Sequence, residues 1–293
     1  MLTIDGVTKQ YGDRRVLDDV TFTVGDGRLT GFVGGNGAGK TTTMRILLGV
    51  LQADTGRVSI DGSEVGPTDR RRFGYMPEER GLYPKMPVAE QITYLARLHG
   101  VDKRTAGQRT TALLERLDLA QHAGDAVEKL SLGNQQRVQV AAALVHDPEV
   151  LVLDEPFSGL DPMAVDTVLG VLREQAAKGV PVLFSSHQLD VVERLCDDVV
   201  VIADGTIRAA GSQEDLRRSA GPAAWELLVD GDVAWLRDES GVTVREFDGG
   251  YAVFEADEAT AQRVLQRAVQ HGTVGSFAPR VPRLSEVFRE VVR

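Results

Sequence analysis

Gly34-Gly35-Asn36-Gly37-Ala38-Gly39-Lys40-Thr41-Thr42 is the stretch on which the reading of this chain turns. It follows an apolar, strand-like run from Leu29 to Val33 and precedes a helix-like one from Met44 to Leu51. Glycines at 34 and 39, then lysine and a hydroxyl, have the spacing of a phosphate-binding loop set between a strand and a helix. Such glycines let successive backbone N–H groups turn inward around phosphate oxygens, and the following helix presents its positive end to the same anion. Lys40 then reaches the terminal phosphates and the Thr41 hydroxyl faces Mg²⁺. The plainer alternative, a glycine-rich turn joining strand to helix, leaves the Lys-Thr pair in register unexplained.

A hydrolase built on such a loop also needs an acidic residue for its metal and a group that handles water. Val150-Leu151-Val152-Leu153-Asp154-Glu155 is an apolar strand ending in two carboxylates. Asp154 is the expected Mg²⁺ ligand, and Glu155 is placed to orient an attacking water or accept its proton. Without the loop, the same pair would read as the acidic start of a helix.

Composition narrows the rest. The chain has 293 residues, 42% hydrophobic and 26% charged, enough for one large globular domain plus a small one. A formal net charge of −10 argues against a nucleic-acid-binding surface, and no nucleic-acid partner is expected. The clusters Arg70-Arg71-Arg72 and Arg217-Arg218 are short and read as solvated faces. The single cysteine, Cys196, excludes an internal disulfide framework and reads as a small buried apolar residue. No segment approaches the roughly 20 apolar residues needed to cross a bilayer, so direct membrane insertion is not expected. The start, Met1-Leu2-Thr3-Ile4, lacks the basic and apolar stretches of a secretion signal, which predicts a cytoplasmic chain.

Around the loop, β-patterned runs are predicted at Leu2 to Ile4, Val16 to Val24, Arg28 to Val33 and Val58 to Asp61. Helical spacing follows over Val88 to Gly100, Thr105 to Leu119 and Gly133 to His146. From Val150 buried strands alternate with helices, which implies a parallel sheet covered on both faces. The signal breaks at Arg218-Ser219-Ala220-Gly221-Pro222, a polar Gly-Pro linker. Beyond it, strands at Ala224 to Val229, Val242 to Phe247 and Tyr251 to Glu255, a helix over Glu258 to His271 and a closing helix near Leu284 to Val291 predict a compact α+β unit. Packing is the default explanation for its two tryptophans, Trp225 and Trp235.

Further motifs stand in a particular order. Leu130-Ser131-Leu132-Gly133-Asn134-Gln135 precedes a helix whose free N–H groups and Ser131 hydroxyl would make a second anion-binding end. Ser131 alone would be an ordinary helix cap. Ser158-Gly159-Leu160-Asp161 and His187, after Phe184-Ser185-Ser186, follow the carboxylate strand. With these in sequence, the chain resembles the nucleotide-binding subunit of an ATP-binding-cassette (ABC) transporter over 1–219.

That resemblance implies an α/β phosphate-loop ATPase domain, with a mixed-sheet core and a helical subdomain at about 87–146, followed by an accessory α+β domain over 222–293. It implies ATP and Mg²⁺ as cofactors. Nucleotide contacts would come from Gly34, Asn36, Gly37, Ala38, Gly39, Lys40, Thr41 and Thr42, with Tyr11 stacked on adenine and His187 on the terminal phosphate. Lys40, Glu155 and His187 would form the catalytic group. Ser131, Gly133 and Gln135 would serve the nucleotide of a second subunit in a head-to-tail dimer, with Ser158 to Asp161 touching that partner.

One position departs from the family pattern. In Gly74-Tyr75-Met76-Pro77-Glu78-Glu79-Arg80, Glu78 stands where a glutamine usually contacts the metal. A carboxylate is a hard oxygen ligand, so Glu78 joins Thr41 and Asp154 as a metal candidate, its charge balanced by the ion or by Arg80. An exposed loop glutamate is the alternative. With the appended C-terminal unit, the variant resembles the exporter branch that includes sodium-efflux and drug-resistance ATPases. The branch implies integral membrane partner subunits, docked near Arg80 to Ile92 through Leu82, Tyr83, Met86 and Val88, and a position on the inner face of the cell membrane. Rival readings are a soluble cassette ATPase of translation or repair, which would carry a second cassette or a long coiled coil, and a binding module whose C-terminal unit is the sensor.

Overall fold

The computed structural model describes residues 1–79, 81–219, 224–280, 286 and 288, with the side chains of 218 and 219 set aside. The chain divides into two compact units, Met1–Gln213 and Glu214–Glu290. In the first, β1 (Leu2–Tyr11) and β2 (Arg14–Val24) form a hairpin, and β3 (Leu29–Val33) runs into the loop and then α1 (Lys40–Leu47). Two further strands, β4 (Thr55–Ile60) and β5 (Ser63–Glu64), complete an antiparallel sheet of order β2-β1-β4-β5. The short α2 (Pro67–Arg70) leads to β6 (Phe73–Met76), and three helices follow: α3 (Val88–Leu98), α4 (Lys103–Arg116) and α5 (Leu132–Leu144). The chain then alternates through β7 (Val150–Leu153), α6 (Pro162–Ala177), β8 (Val182–Ser186), α7 (Leu189–Leu195), β9 (Asp198–Ala203) and β10 (Thr206–Ser212), after which α8 (Gln213–Ser219) opens the second unit.

The second sheet has the order β10-β9-β3-β8-β7-β6, parallel except for the antiparallel edge β10. Every residue of β3, β7 and β8 is buried, which is why β7 is an unbroken apolar run and β8 is apolar up to the serines that end it, while β3 is apolar apart from Thr30 and Gly31. In β2 the buried Val20, Phe22 and Val24 alternate on one face, as expected of a sheet with one face packed, and Leu17, three residues before Val20, is also buried across a register shift where Asp19 takes a φ of 52°. Phe22 meets Phe32 at 5.2 Å between ring centroids, joining the two sheets through a core that includes Met44 and Leu47 of α1.

Three strands of this unit lie outside the sequence expectation, among them the two-residue β5. β6 has only four residues, and β10 is an edge strand whose Ala and Gly leave no apolar alternation to read. The helix expected to reach Leu51 ends at Leu47, since Gly49 takes a φ of 71°, where a helix stops.

In the second unit β11 (Ala224–Asp230), β12 (Thr243–Asp248), β13 (Tyr251–Glu255) and β14 (Thr273–Arg280) form an antiparallel sheet of order β12-β13-β11-β14. The helix α9 (Glu258–His271) is capped by Asp257, whose carboxylate accepts the Thr260 N–H at 2.7 Å. Its Ala261, Val264 and Ala268 share a core with Leu227 and Phe254. Both tryptophans pack here: Trp225 stacks on Phe277 and donates to the Ala256 carbonyl at 3.1 Å, and Trp235 stacks on His271. β14, broken by Gly275 and Pro279, has no counterpart in the sequence expectation. The expected closing helix near 284–291 lies outside the described residues apart from 286 and 288, and so does most of the expected linker. Among the described residues no helix is long and apolar enough to cross a membrane.

Candidate nucleotide site

The loop between β3 and α1 is held by its own backbone. The Ala38 N–H donates to the Gly35 carbonyl at 3.2 Å, and the Gly205 N–H clamps the Ala38 carbonyl from the turn between β9 and β10 at 3.1 Å. Gly39 caps α1 with a φ of 112°, and a Cβ there would stand 2.6 Å from Leu17 Cδ2. Glycine is required on both counts. A Cβ on Gly34 would meet the Ile202 carbonyl at 2.5 Å, and Ala38 is buried. Gly34 and Ala38 thus shape the loop from beneath. Lys40 folds back, its ammonium donating to the carbonyls of Gly34 at 2.7 Å and Gly35 at 3.2 Å, with its charge held over the loop.

β7 delivers Asp154 and Glu155, both buried. Asp154 accepts the Ser185 hydroxyl at 2.5 Å through Oδ1, and its Oδ2 stands 3.5 Å from Thr41 Oγ1. Glu155 has a φ of 53°, a left-handed conformation that costs a non-glycine residue on the order of 1–3 kcal/mol unless the surroundings fix it. They do so on both sides. Its N–H donates to Ser185 Oγ at 2.9 Å, and its carbonyl accepts from the buried Gln136 amide at 2.8 Å. The carboxylate meets His187 Nδ1 at 2.9 Å. Burial pushes the Glu155 carboxyl above its ordinary range, while the His187 hydrogen bond and the nearby Lys40 charge pull it part of the way back.

These groups line one cleft of about 610 Å³, with Gly35, Asn36, Gly37, Gly39, Lys40, Thr41 and Thr42 along the loop and Tyr11, Glu78, Asp154, Glu155 and His187 around it. Arg14 and Val16, at the start of β2, also line it and carry no signal of that in the sequence. Gly34 and Ala38 do not line it. Nor does the cleft include Ser131, Gly133 or Gln135. Ser131 caps α5 by accepting the Asn134 N–H at 3.3 Å, and the Gln135 amide donates to the Val127 and Leu130 carbonyls. An added Cβ on Gly133 would stand at ordinary contact distance from Leu160 Cδ2 at 3.5 Å and the Gly159 carbonyl at 3.6 Å, so Gly133 packs beside Gly159-Leu160 while Ser131 is exposed. Asp161 caps α6 by accepting the Ala164 N–H at 2.8 Å, with Pro162 at the first helical position.

Sequence reasoning misses Ser185 and Gln136. Ser185 carries a signal, a polar residue ending the apolar strand beside β7. Gln136 carries none. Among the described residues no group of three or more His, Cys, Asp or Glu forms a protein-only metal cage. Mg²⁺ draws on one or two protein oxygens and completes its shell with water and phosphate, and the facing oxygens of Thr41 and Asp154 fit that demand.

A glycine loop leading into a helix, with two carboxylates ending a nearby strand of the same parallel sheet, defines the class of phosphate-loop nucleotide hydrolases. Within that class the chain belongs to the ABC transporter family, as an ATP-binding, ATP-hydrolysing subunit. The ABC transporter family matches residues 17–158, and the C-terminal domain of DrrA1-3-like ATP-binding proteins matches 211–292. An uncharacterized ABC transporter ATP-binding protein of Bacillus subtilis, YhaQ, is 38% identical over 293 residues, covering 100% of this chain and 98% of its own. The daunorubicin resistance ATP-binding protein DrrA3 of Streptomyces coeruleorubidus is 32% identical, covering 98% of this chain and 94% of its own. A solved ATP-binding subunit of an ABC transporter superposes with a TM-score of 0.69 at 35% identity, covering 74% of this chain and 92% of that one.

Proposed function

We propose that this chain binds ATP with Mg²⁺ in the cleft of Lys40, Asp154 and Glu155 and hydrolyses it to power export through separately encoded integral membrane subunits. The observation that carries the reading is the convergence, in one cleft, of the loop with Lys40, the Thr41–Asp154 oxygen pair and the Glu155–His187 pair. Lys40 and the loop N–H groups take the phosphates. Thr41 and Asp154 hold Mg²⁺, and Glu78, exposed at the rim, supplies a further oxygen. The ion neutralises charge on the transferred phosphoryl group. Glu155 orients the attacking water, and its elevated proton affinity suits it to take the proton. His187 bridges Glu155 and the terminal phosphate, and the exposed Tyr11 ring offers a face for adenine.

A single chain leaves the Ser131–Gly133 end without a nucleotide. We assign that end, with Ser158 to Asp161, to the site of a second ATPase subunit in a head-to-tail dimer, and Gln135 to holding it in shape rather than touching nucleotide. ATP binding would close the pair and hydrolysis release it. The likeness to DrrA3, a daunorubicin resistance ATP-binding protein, supports the reading of export. The membrane partners place the chain at the inner face of the cell membrane. Of the side chains expected to dock them, Val88 is fully buried in α3 and so cannot, and Ile92, at the end of that stretch, is fully buried as well. Tyr83 is 57% exposed, and the buried Gln91 amide grips both its N–H and its carbonyl, which fixes its backbone. Arg80 lies outside the described residues. The assigned domain limits are 1–219 and 222–293.

Steady-state hydrolysis tests the enzymatic part. Glu155→Gln is expected to keep ATP affinity within about threefold while turnover falls at least about 100-fold. Undiminished turnover in that variant removes Glu155 from its role. Co-purification in mild detergent tests the membrane part, and recovery without any integral membrane protein counts against it.

A further inference from the structure

Glu155 sits in a strained backbone conformation held by two buried side chains, and the two come from different parts of the unit. Ser185, at the end of β8, accepts its N–H at 2.9 Å and also donates to Asp154, so this support belongs to the sheet that carries the cleft. Gln136 reaches in from α5 and donates to the Glu155 carbonyl at 2.8 Å, with its own side chain 5% exposed. That helix begins at the exposed cap Ser131, with Gly133 in its first turn, five and three residues earlier. One turn later on the same helix, the buried Gln139 donates to the Pro77 carbonyl at 3.1 Å, immediately before Glu78. Two glutamines on one buried face thus tie α5 to the backbone of two carboxylates of the cleft.

We propose that Gln136 is a positioning residue for Glu155, fixing the direction of its carboxylate through the peptide carbonyl and linking it to the position of α5. A left-handed residue has no local preference to hold it, so its side-chain direction depends on what grips the flanking peptide groups. Losing the carbonyl grip lets the peptide after Glu155 rotate. The carboxylate then leaves His187 and the water it must orient, and a misplacement of about 1 Å is enough to cost on the order of 100-fold in rate. Nucleotide affinity resides in the loop and Lys40, which Gln136 does not touch. The effect therefore falls on turnover rather than on binding. A shift of α5, of the kind that engagement of its Ser131–Gly133 end would cause, moves the same grip and alters hydrolysis in the chain's own cleft.

The proposal rests on Glu155 acting on water, and the test separates the two. Full-length chain, Glu155→Gln, Gln136→Met and Gln136→Glu are compared by steady-state ATP hydrolysis, by KM, and by titration with Mg-bound ATP under conditions of slow turnover. Both Gln136 variants keep side-chain length and lack the amide donor, so if one fails to fold the other decides. The turnover number is expected to fall by about tenfold or more, while KM and affinity stay within about twofold. If Glu155→Gln is inactive while a folded Gln136 variant keeps its turnover number within about twofold, or loses affinity in parallel with turnover, the positioning role is overturned and the role of Glu155 stands. If Glu155→Gln remains active, the reading of Glu155 itself falls.

Discussion

Replacing Ser185 by alanine removes one oxygen that serves two buried groups at once. The 2.5 Å bond to the Asp154 carboxylate is charge-assisted, a type that contributes about 1.5–3 kcal/mol. The Glu155 N–H loses its acceptor as well, and an orphaned buried donor costs about 1–3 kcal/mol. Together these give roughly 4 kcal/mol, in a unit of about 200 residues where each kcal/mol moves Tm by about 2–4 °C. The expected shift is therefore about 8–16 °C, measured by circular dichroism on nucleotide-free full-length protein. Ser185→Cys, which keeps a weaker donor and acceptor, should lose less. A Tm within about 3 °C of the parent for Ser185→Ala would refute the claim that this hydroxyl organises the two carboxylates.

Three other outcomes follow from the geometry. Gly39→Ala must accept a φ of 112° and a Cβ 2.6 Å from Leu17, so it should lose at least about 1–3 kcal/mol by denaturant unfolding. His146 stacks on His99 at 3.8 Å and meets the Phe73 carbonyl at 3.1 Å, and burial, with His99 and Arg109 near it, lowers its pKa from 6.5 to about 4. A histidine held neutral in the folded state contributes stability above its unfolded pKa that disappears as pH falls through the folded one. About 3 kcal/mol should thus be lost between pH 6.5 and about 4, and His146→Gln should flatten that part of the profile. The raised proton affinity of Glu155 predicts that turnover falls on the acid side at a pH above the ordinary glutamate range. Residual activity in His187→Ala should fall at a higher pH still, because the histidine bond lowers that affinity.

The loop and the Asp154-Glu155 strand are legible in the sequence because both rest on local rules: glycine where φ is positive, apolar runs where a strand is buried on both faces, carboxylates at a strand end. Helix α9 and strands β7 and β13 fall where their patterns place them, for the same reason. β10 and β14 escape because an edge strand with Ala, Gly or Pro has no apolar face to show in one dimension. The supports of Glu155 escape for another reason. Gln136 and Ser185 lie 19 and 30 residues from the group they hold, and only the fold brings them together. Val88 shows the converse, since an apolar residue expected at a docking surface proves to be core.

Whether this loop grips a triphosphate is read by calorimetric titration of Mg-bound ATP into the full-length chain and into Lys40→Ala. Saturable heat that depends on Mg²⁺ is expected with the parent chain, and an affinity weaker by about tenfold or more with Lys40→Ala. A folded parent chain that gives no Mg-dependent heat, or equal affinity in the two proteins, would contradict that grip.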